Sequence, residues 1–242
     1  MKAVILCSGH GIVSPNEVRL VPKALMSIDN EPMIYILMKH FYFYGVKDFI
    51  LSTDSKGLEI KKRLYNDTFS DSIKRNLSKW KIDFFDSGDN VKTGARIFKI
   101  KHLVSKEDFL VSYVDTLADI NISELLAFHR TKGCILTMSG VHPTSRLGVI
   151  SHKDGYVTGY DTDTKSHSTI KGGFFVCKPE IFDYLSNDCN CALEEEPLQK
   201  LIKENQVALF DHLGFWKHID YFKDLDDLKK MNHDENPSWK IQ

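Results

Sequence analysis

The 242-residue chain has no Cys-x-x-Cys pair among its five cysteines, at positions 7, 134, 177, 189 and 191. That spacing gives neither a disulfide framework nor a zinc-ligand pattern. Cys7, Cys134 and Cys177 lie within apolar runs and read as small buried hydrophobes. No apolar run approaches the roughly 18 residues that a membrane span needs, and the short stretch after Lys2 carries no cleavage site. An excess of one charge is also missing: 32 Lys and Arg against 33 Asp and Glu give a formal net charge of −1. Such a balance offers no electrostatic footprint for nucleic acid or for an anionic membrane. Repeats, low-complexity tracts and long linkers are lacking too. What these absences leave is a chain expected to be soluble, reduced and cytoplasmic, with enough apolar residues to bury a sizeable core.

Present instead is an alternation of short apolar strands and amphipathic helices. Strands are predicted at Ala3–Leu6, Asp48–Ser52, Lys81–Phe85, Phe109–Val114 and Cys134–Val141. Helices are predicted between them at Met33–Tyr44, Gly57–Tyr65, Thr93–Val104 and Ile122–Thr131. Helices following strands in this way imply a parallel sheet covered on both faces. After about residue 145 the pattern changes. Gly148–Ile150 and Tyr156–Thr158 read as a hairpin around Asp154-Gly155, Phe174–Cys177 and Val207–His212 as strands, and Pro179–Leu185, Leu198–Glu204 and Asp224–Met231 as helices. The expected fold class is α/β, a Rossmann-like doubly wound mixed sheet with a small α+β portion facing the substrate. Residues 1–242 read as one domain, 1–145 forming one portion and 146–242 the other.

The first residues, MKAVILCSGHGIVSPNEVRLVPKAL, carry the chemistry. The strand ending at Leu6 empties into a loop of small residues that includes Ser8, Gly9 and Gly11, and Pro22-Lys23 follows. Such a loop lets backbone N–H groups approach a polyanion, and a lysine on the next segment reaches phosphate oxygens as a point charge. Nucleoside triphosphates are commonly held this way at the carboxyl end of a parallel strand.

Four further segments bring a family into view. Tyr113-Val114-Asp115-Thr116-Leu117-Ala118-Asp119-Ile120-Asn121-Ile122 resembles a tyrosine–aspartate–"ADVNI" segment, and Gly172-Gly173-Phe174-Phe175-Val176 an "NGGFFV" stretch. Glu194-Glu195-Glu196-Pro197-Leu198 resembles an "ExEPL" helix start, and Gly214-Phe215-Trp216-Lys217-His218-Ile219-Asp220 a "GFWxxxD" segment. In this order they are similar to the sugar-1-phosphate nucleotidyltransferases, most of all to the glucose-1-phosphate cytidylyltransferases, from Met1 to about Met231.

The resemblance implies transfer of a nucleotidyl group, with CTP favoured, onto a small phosphorylated or phosphonylated acceptor with release of pyrophosphate. It implies Asp115 and Asp220 as ligands of Mg²⁺ and Lys23 on the triphosphate side. Leu6, Ser8, Gly9, Gly11, Thr93, Gly94 and Arg96 would bind the nucleotide, the last three within a segment that resembles the family's "TGGR". Lys171, Gly172, Gly173, Glu194 and Glu196 would face the acceptor. Arg146 and Gly148 match an Arg-x-Gly element, Arg146 read as an ion-pair residue; Asp119 reads as an N-cap of the helix that follows it, a role that Asn121 and Ser123 also offer. Neither nucleic acid nor membrane is an expected partner, and a homo-oligomer is left open.

The departures fall on the same site. The family's Gly-Gly-x-Gly-Thr-Arg loop is Ser8-Gly9-His10-Gly11-Ile12-Val13 here, and Val21 stands where the family has an arginine. A charge-assisted hydrogen bond from a guanidinium to phosphate is worth about 1.5–3 kcal/mol, which valine cannot supply. Thr162-Asp163-Thr164 replaces a Glu-Lys-Pro that positions the sugar phosphate, which argues against ordinary glucose 1-phosphate as the acceptor. Two readings follow: an active transferase with a rebuilt clamp and acceptor pocket, or a catalytically impaired relative that keeps the fold and ligand binding.

Overall fold

Seven apolar segments line up as one sheet in the computed structural model, which describes residues 1–8, 12–13, 20–65, 70–104, 107–143, 149–161, 169–232, 237 and 239. The strands are β1 (Lys2–Leu6), β2 (Asp48–Thr53), β3 (Lys81–Asp86), β4 (Phe109–Tyr113), β5 (Leu136–Val141), β6 (Ile170–Cys177) and β7 (Val207–His212). Their order is β7-β5-β6-β4-β1-β2-β3. β1 runs parallel to β2 and β4, and β2 to β3. β6 enters antiparallel between β4 and β5, while β5 and β7 are parallel. The result is the expected doubly wound mixed sheet.

Helices cover both faces: α1 (Met33–Phe43), α2 (Gly57–Leu64), α3 (Asp71–Leu77), α4 (Thr93–Lys99), α5 (Ile122–Lys132), α6 (Glu196–Lys203) and α7 (Phe222–Asn232). The period-2 alternation of β1 divides its side chains between two cores. Ala3 and Ile5 join Tyr35 and Phe41 of α1, Ile60 of α2, Ile73 of α3 and Leu125 of α5. Val4 and Leu6 join Ile97 of α4, Phe109, Phe175 and Leu201 of α6. A third cluster, with Met26, Met33, Leu117, Ile219 and Leu228, lies beneath α7. Leu117 and Ile219 neighbour the two aspartates of interest, so this small core anchors the backbone that presents them.

Several element boundaries differ from the sequence reading, each for a local reason. α4 stops at Lys99, because tight turns carry the chain on, with Lys101 N–H bonded to Phe98 C=O and Leu103 N–H to Ile100 C=O. Pro179–Asp183 forms a 3₁₀ turn rather than a helix reaching Leu185. α6 begins at Glu196, with proline tolerated in its first turn. The N-cap of α5 is Asn121, whose side chain accepts from Glu124 N–H at 3.1 Å. Asp119 is therefore not the cap; its carboxylate lies 2.9 Å from His212 Nε2. Cys7 and Cys177 are buried as expected, whereas Cys134 is half-buried. The hairpin pairs Val149–Lys153 with Tyr156–Asp161 through Asp154 and Gly155, both at positive φ (53° and 84°), which suits the tight turn predicted there.

Candidate active site

The parallel strands β1 and β4 end side by side, with Leu6 in register with Tyr113. Just beyond them opens a cleft of about 530 Å³ whose lining includes Leu6, Ser8, Thr93, Arg96, Tyr113, Asp115, Lys171, Glu194, Glu195 and His218. Ligands of open α/β sheets sit beyond the carboxyl ends of strands, and this cleft is in that place. A cavity of about 400 Å³ adjoins it through Ser8, Val91 and Arg96 and is otherwise lined by polar groups such as Asp54, Ser55, Asp89 and Asn90. A separate cavity of about 250 Å³ beside His40 and Trp239 contains none of the predicted residues.

At one end of the cleft a short antiparallel ladder pairs Thr116–Ala118 with Trp216–His218. The backbone continues the pairing, with Ile219 N–H donating to Asp115 C=O at 2.9 Å. Asp115 and Asp220, far apart in sequence, thereby face each other. Lys23, at the start of a 3₁₀ turn, projects between them, its Nζ 2.9 Å from Asp115 Oδ2 and 3.1 Å from Asp220 Oδ1. Burial works against the charge on Lys23, but the hydrogen bonds and charges of Asp115 and Asp220 outweigh it and hold the ammonium above the usual lysine range. Burial likewise opposes ionisation of Asp220, and bonds from Lys23 together with the neighbouring His218 hold its carboxyl below the usual range. Asp220 is fixed from behind, since its N–H donates to Asp224 Oδ2 at 3.0 Å.

His218 was not singled out by sequence reasoning, yet it completes this end. Its Nε2 lies 3.0 Å from Asp220 Oδ1 and its Nδ1 3.7 Å from Asp115 Oδ1. One donor atom each from Asp115, His218 and Asp220 fall within 4.8 Å of one another, close enough to share one metal ion. The donor set fits a divalent cation that takes one or two carboxylates and fills its remaining positions with phosphate oxygens and water. The Lys23 ammonium between the carboxylates shows that positive charge is favoured at this point. The signal for His218 was available in the sequence, since Trp216, His218 and Asp220 alternate as one face of an extended segment.

At the other end Glu194 is the hub. Its Oε2 accepts from Thr93 Oγ1 at 2.6 Å, and its Oε1 accepts from Lys171 Nζ at 2.7 Å and from the Tyr113 hydroxyl. Burial alone would raise its pKa, but the bonds from Lys171, Thr93 and Tyr113 hold the carboxyl below the usual range. Burial and the adjoining Glu194 push the Tyr113 phenol well above its ordinary value. The Lys171 ammonium also lies over the Tyr113 ring, 5.2 Å from its centroid.

The remaining predicted residues divide between lining and support. Ser8, Thr93 and Arg96 reach the cleft, but the guanidinium of Arg96 also donates to Val91, Thr53 and Gly88 carbonyls at 2.6, 3.2 and 3.3 Å and so braces the loops around it. Gly94 faces the backbone of Cys191, whose carbonyl oxygen would lie 2.9 Å from an added Cβ. Gly172 is crowded in the same way by Ser139 Oγ at 2.5 Å, and its carbonyl accepts from Trp216 Nε1 at 2.8 Å. Gly173 has φ +82°, the left-handed region that favours glycine. Glu196 is not brought to the cleft: it is exposed on α6 and pairs with Lys200 at 2.8 Å, while Glu195 lines the cleft and pairs with Lys92 at 2.9 Å. Val21 is half-buried against the first core. Gly9, Gly11, Arg146, Gly148, Asp163 and the side chain of Val13 lie outside the described residues.

Comparison with known proteins bears on the family and the fold. The sequence model of the nucleotidyl transferase family matches residues 2–234. A Bacillus subtilis (strain 168) protein named "Probable glucose-1-phosphate cytidylyltransferase" is 36% identical, with 100% of each chain covered. The glucose-1-phosphate cytidylyltransferase of Salmonella typhimurium (strain LT2) is 31% identical over 99% of each chain. Among solved structures, HddC from Yersinia pseudotuberculosis has a TM-score of 0.71 at 20% identity, covering 95% of this chain and 98% of its own. The UTP-bound UGPase of Acinetobacter baumannii has a TM-score of 0.73 at 14% identity, covering 98% and 95%. These two structures speak for the fold.

Proposed function

The chain belongs to the nucleotidyl transferase family, and from that premise we propose that it transfers a cytidylyl group from CTP to a sugar 1-phosphate, with Mg²⁺, releasing pyrophosphate. The observation that carries this reading is the division of one cleft into two differently built ends. Lys23, Asp115 and Asp220 gather at one end, and Lys171 and Glu194 at the other. The nucleotide would lie along Leu6, Ser8, Thr93 and Arg96, with its base toward the polar cavity beside Asp89.

In the reaction a phosphate oxygen of the acceptor attacks the α-phosphorus, and the bond from that phosphorus to the bridging oxygen of pyrophosphate breaks. Charge builds on the oxygens of the transferring group, and fixed cations stabilise it without a covalent intermediate. Lys23 is the fixed protein cation on the triphosphate side. Mg²⁺ held by Asp115 and Asp220 would supply further positive charge to the phosphates. Lys171 meets the acceptor phosphate, and Glu194 holds Lys171 in place. The pair sits at the cleft surface, with Lys171 about half exposed, so the ammonium is held by Glu194 and still open to an incoming phosphate.

A second reading, an impaired relative, has one structural feature in its favour. Val21 packs against the core where the family carries an arginine, so no cation is supplied from that position. The two readings separate in a screen of pyrophosphate release with the four ribonucleoside triphosphates against a panel of sugar and non-sugar phosphates, with Mg²⁺. Turnover with CTP and a sugar 1-phosphate is the expected result. No turnover with any pair, in a folded protein that binds nucleotide, would favour the impaired relative.

A further inference from the structure

The "GFWxxxD" pattern specifies Gly214, Phe215, Trp216 and Asp220 and leaves the position of His218 open. In this chain that position carries an imidazole at the edge of the cation site. We propose that His218 is a third protein ligand of the divalent ion, and that it shifts the preference of the site from Mg²⁺ toward Mn²⁺ or Co²⁺. This rests on the reading that Asp115 and Asp220 hold a divalent cation.

Three observations support the assignment. First, the spacing suits shared coordination. Octahedral ligands at about 2.1 Å from a metal lie about 3.0 Å from their neighbours, and His218 Nε2 lies 3.0 Å from Asp220 Oδ1. Second, the ring is held in a defined plane. It lies nearly parallel to the Trp216 indole, at 9° with centroids 6.3 Å apart, and that indole is fixed by its bond to Gly172 C=O. Third, the other nitrogen has a partner of its own. Thr116 Oγ1 lies 3.4 Å from Nδ1 and can accept a hydrogen bond from Nδ1–H, the tautomer that leaves the Nε2 lone pair for the metal. An imidazole adds affinity without adding negative charge. It favours first-row transition ions over Mg²⁺, Co²⁺ more than Mn²⁺, because affinity for a nitrogen ligand rises from Mn²⁺ to Co²⁺.

Mn²⁺ titration of the full-length protein, with and without CTP, followed by electron paramagnetic resonance tests the proposal. Loss of the free-ion signal reports binding, and pulsed spectra report nitrogen coupled directly to the bound ion. The expected result is an imidazole coupling in the wild type that changes when histidine is labelled with the heavy nitrogen isotope. The His218→Ala variant is expected to lose that coupling, to bind Mn²⁺ about tenfold or more weakly, and to change Mg²⁺ binding by less than about threefold. Isotope labelling needs no substitution, so the test survives a variant that folds poorly. Mn²⁺ that binds the wild type without imidazole coupling would overturn the role of His218 and leave the aspartate site standing. Failure of the wild type to bind Mn²⁺ under either condition would overturn the aspartate site itself.

Discussion

The two ends of the cleft are built on different electrostatic terms. At the cation end, Asp115 and Asp220 face Lys23, leaving one negative charge beyond what the lysine neutralises. Asp220 is also 54% exposed at its side chain, so water and ions reach it. At the acceptor end, one carboxylate, Glu194, meets one ammonium, Lys171, together with two hydroxyl donors. The first end has charge to offer an incoming cation. The second is already satisfied and acts as a wall of fixed shape. A site that must carry a mobile metal–triphosphate and orient a smaller acceptor benefits from this asymmetry, since pre-set donors cost no reorganisation when the reaction occurs.

The largest way to break the comparison is at the cation end. Asp220→Asn or Asp115→Asn is expected to lower kcat by about 10²–10³-fold with the melting temperature nearly unchanged, measured by pyrophosphate release alongside thermal denaturation. A loss of fold in place of a loss of turnover would show the aspartates to be structural.

Glu194→Gln tests the other end and is expected to act on stability as well as on binding. The neutral amide cannot serve Lys171 and Tyr113 as the carboxylate does, and a lost buried partner costs about 1–3 kcal/mol. Urea denaturation should show that loss, and the KM for the sugar phosphate should rise more than the KM for CTP.

Acid separates both ends from the scaffold. Burial lowers the pKa of His40, on α1, from 6.5 to about 4, although its bond to Ile120 C=O opposes the shift. The unfolded chain therefore takes up this proton before the folded chain does. Stability is present in full above pH 6.5 and falls as the pH drops from 6.5 toward 4, by up to about 3 kcal/mol. Glu194, with its lowered folded value, adds a further loss below about pH 4.3. His40→Gln is expected to flatten the first limb of a stability-versus-pH curve while Glu194→Gln flattens the second.

Much of the scaffold was legible because apolar runs and their periods are local signals. β1, β2 and β7 announce themselves in this way, as does the Asp154-Gly155 turn. α3 did not, since Ile73 and Leu77 are its buried pair and two apolar residues do not make a visible stripe. The Thr116–Ala118 and Trp216–His218 ladder was equally hidden: strands of three residues from distant segments leave no periodic trace. Asp115 and Asp220 were named from motif resemblance and Lys23 first from the small-residue loop before it, and the structure brings the three together. Tyr113 and His218 were passed over because their roles depend on partners met only in space.

The smallest expected effect marks the boundary of the acceptor end. Glu196→Ala removes an exposed carboxylate outside the cleft and is expected to change stability by no more than about 0.5 kcal/mol and to leave turnover unaltered. A marked loss of turnover would draw Glu196 into the site and blur the distinction from Glu194.

The central claim is that the cation end binds the triphosphate through a metal held by the paired aspartates. Calorimetric titration of CTP into the wild type and Asp220→Asn, each with and without Mg²⁺, tests it most directly. The expected result is CTP binding that Mg²⁺ strengthens in the wild type and does not strengthen in the variant. Equal binding by both proteins, indifferent to Mg²⁺, would contradict it.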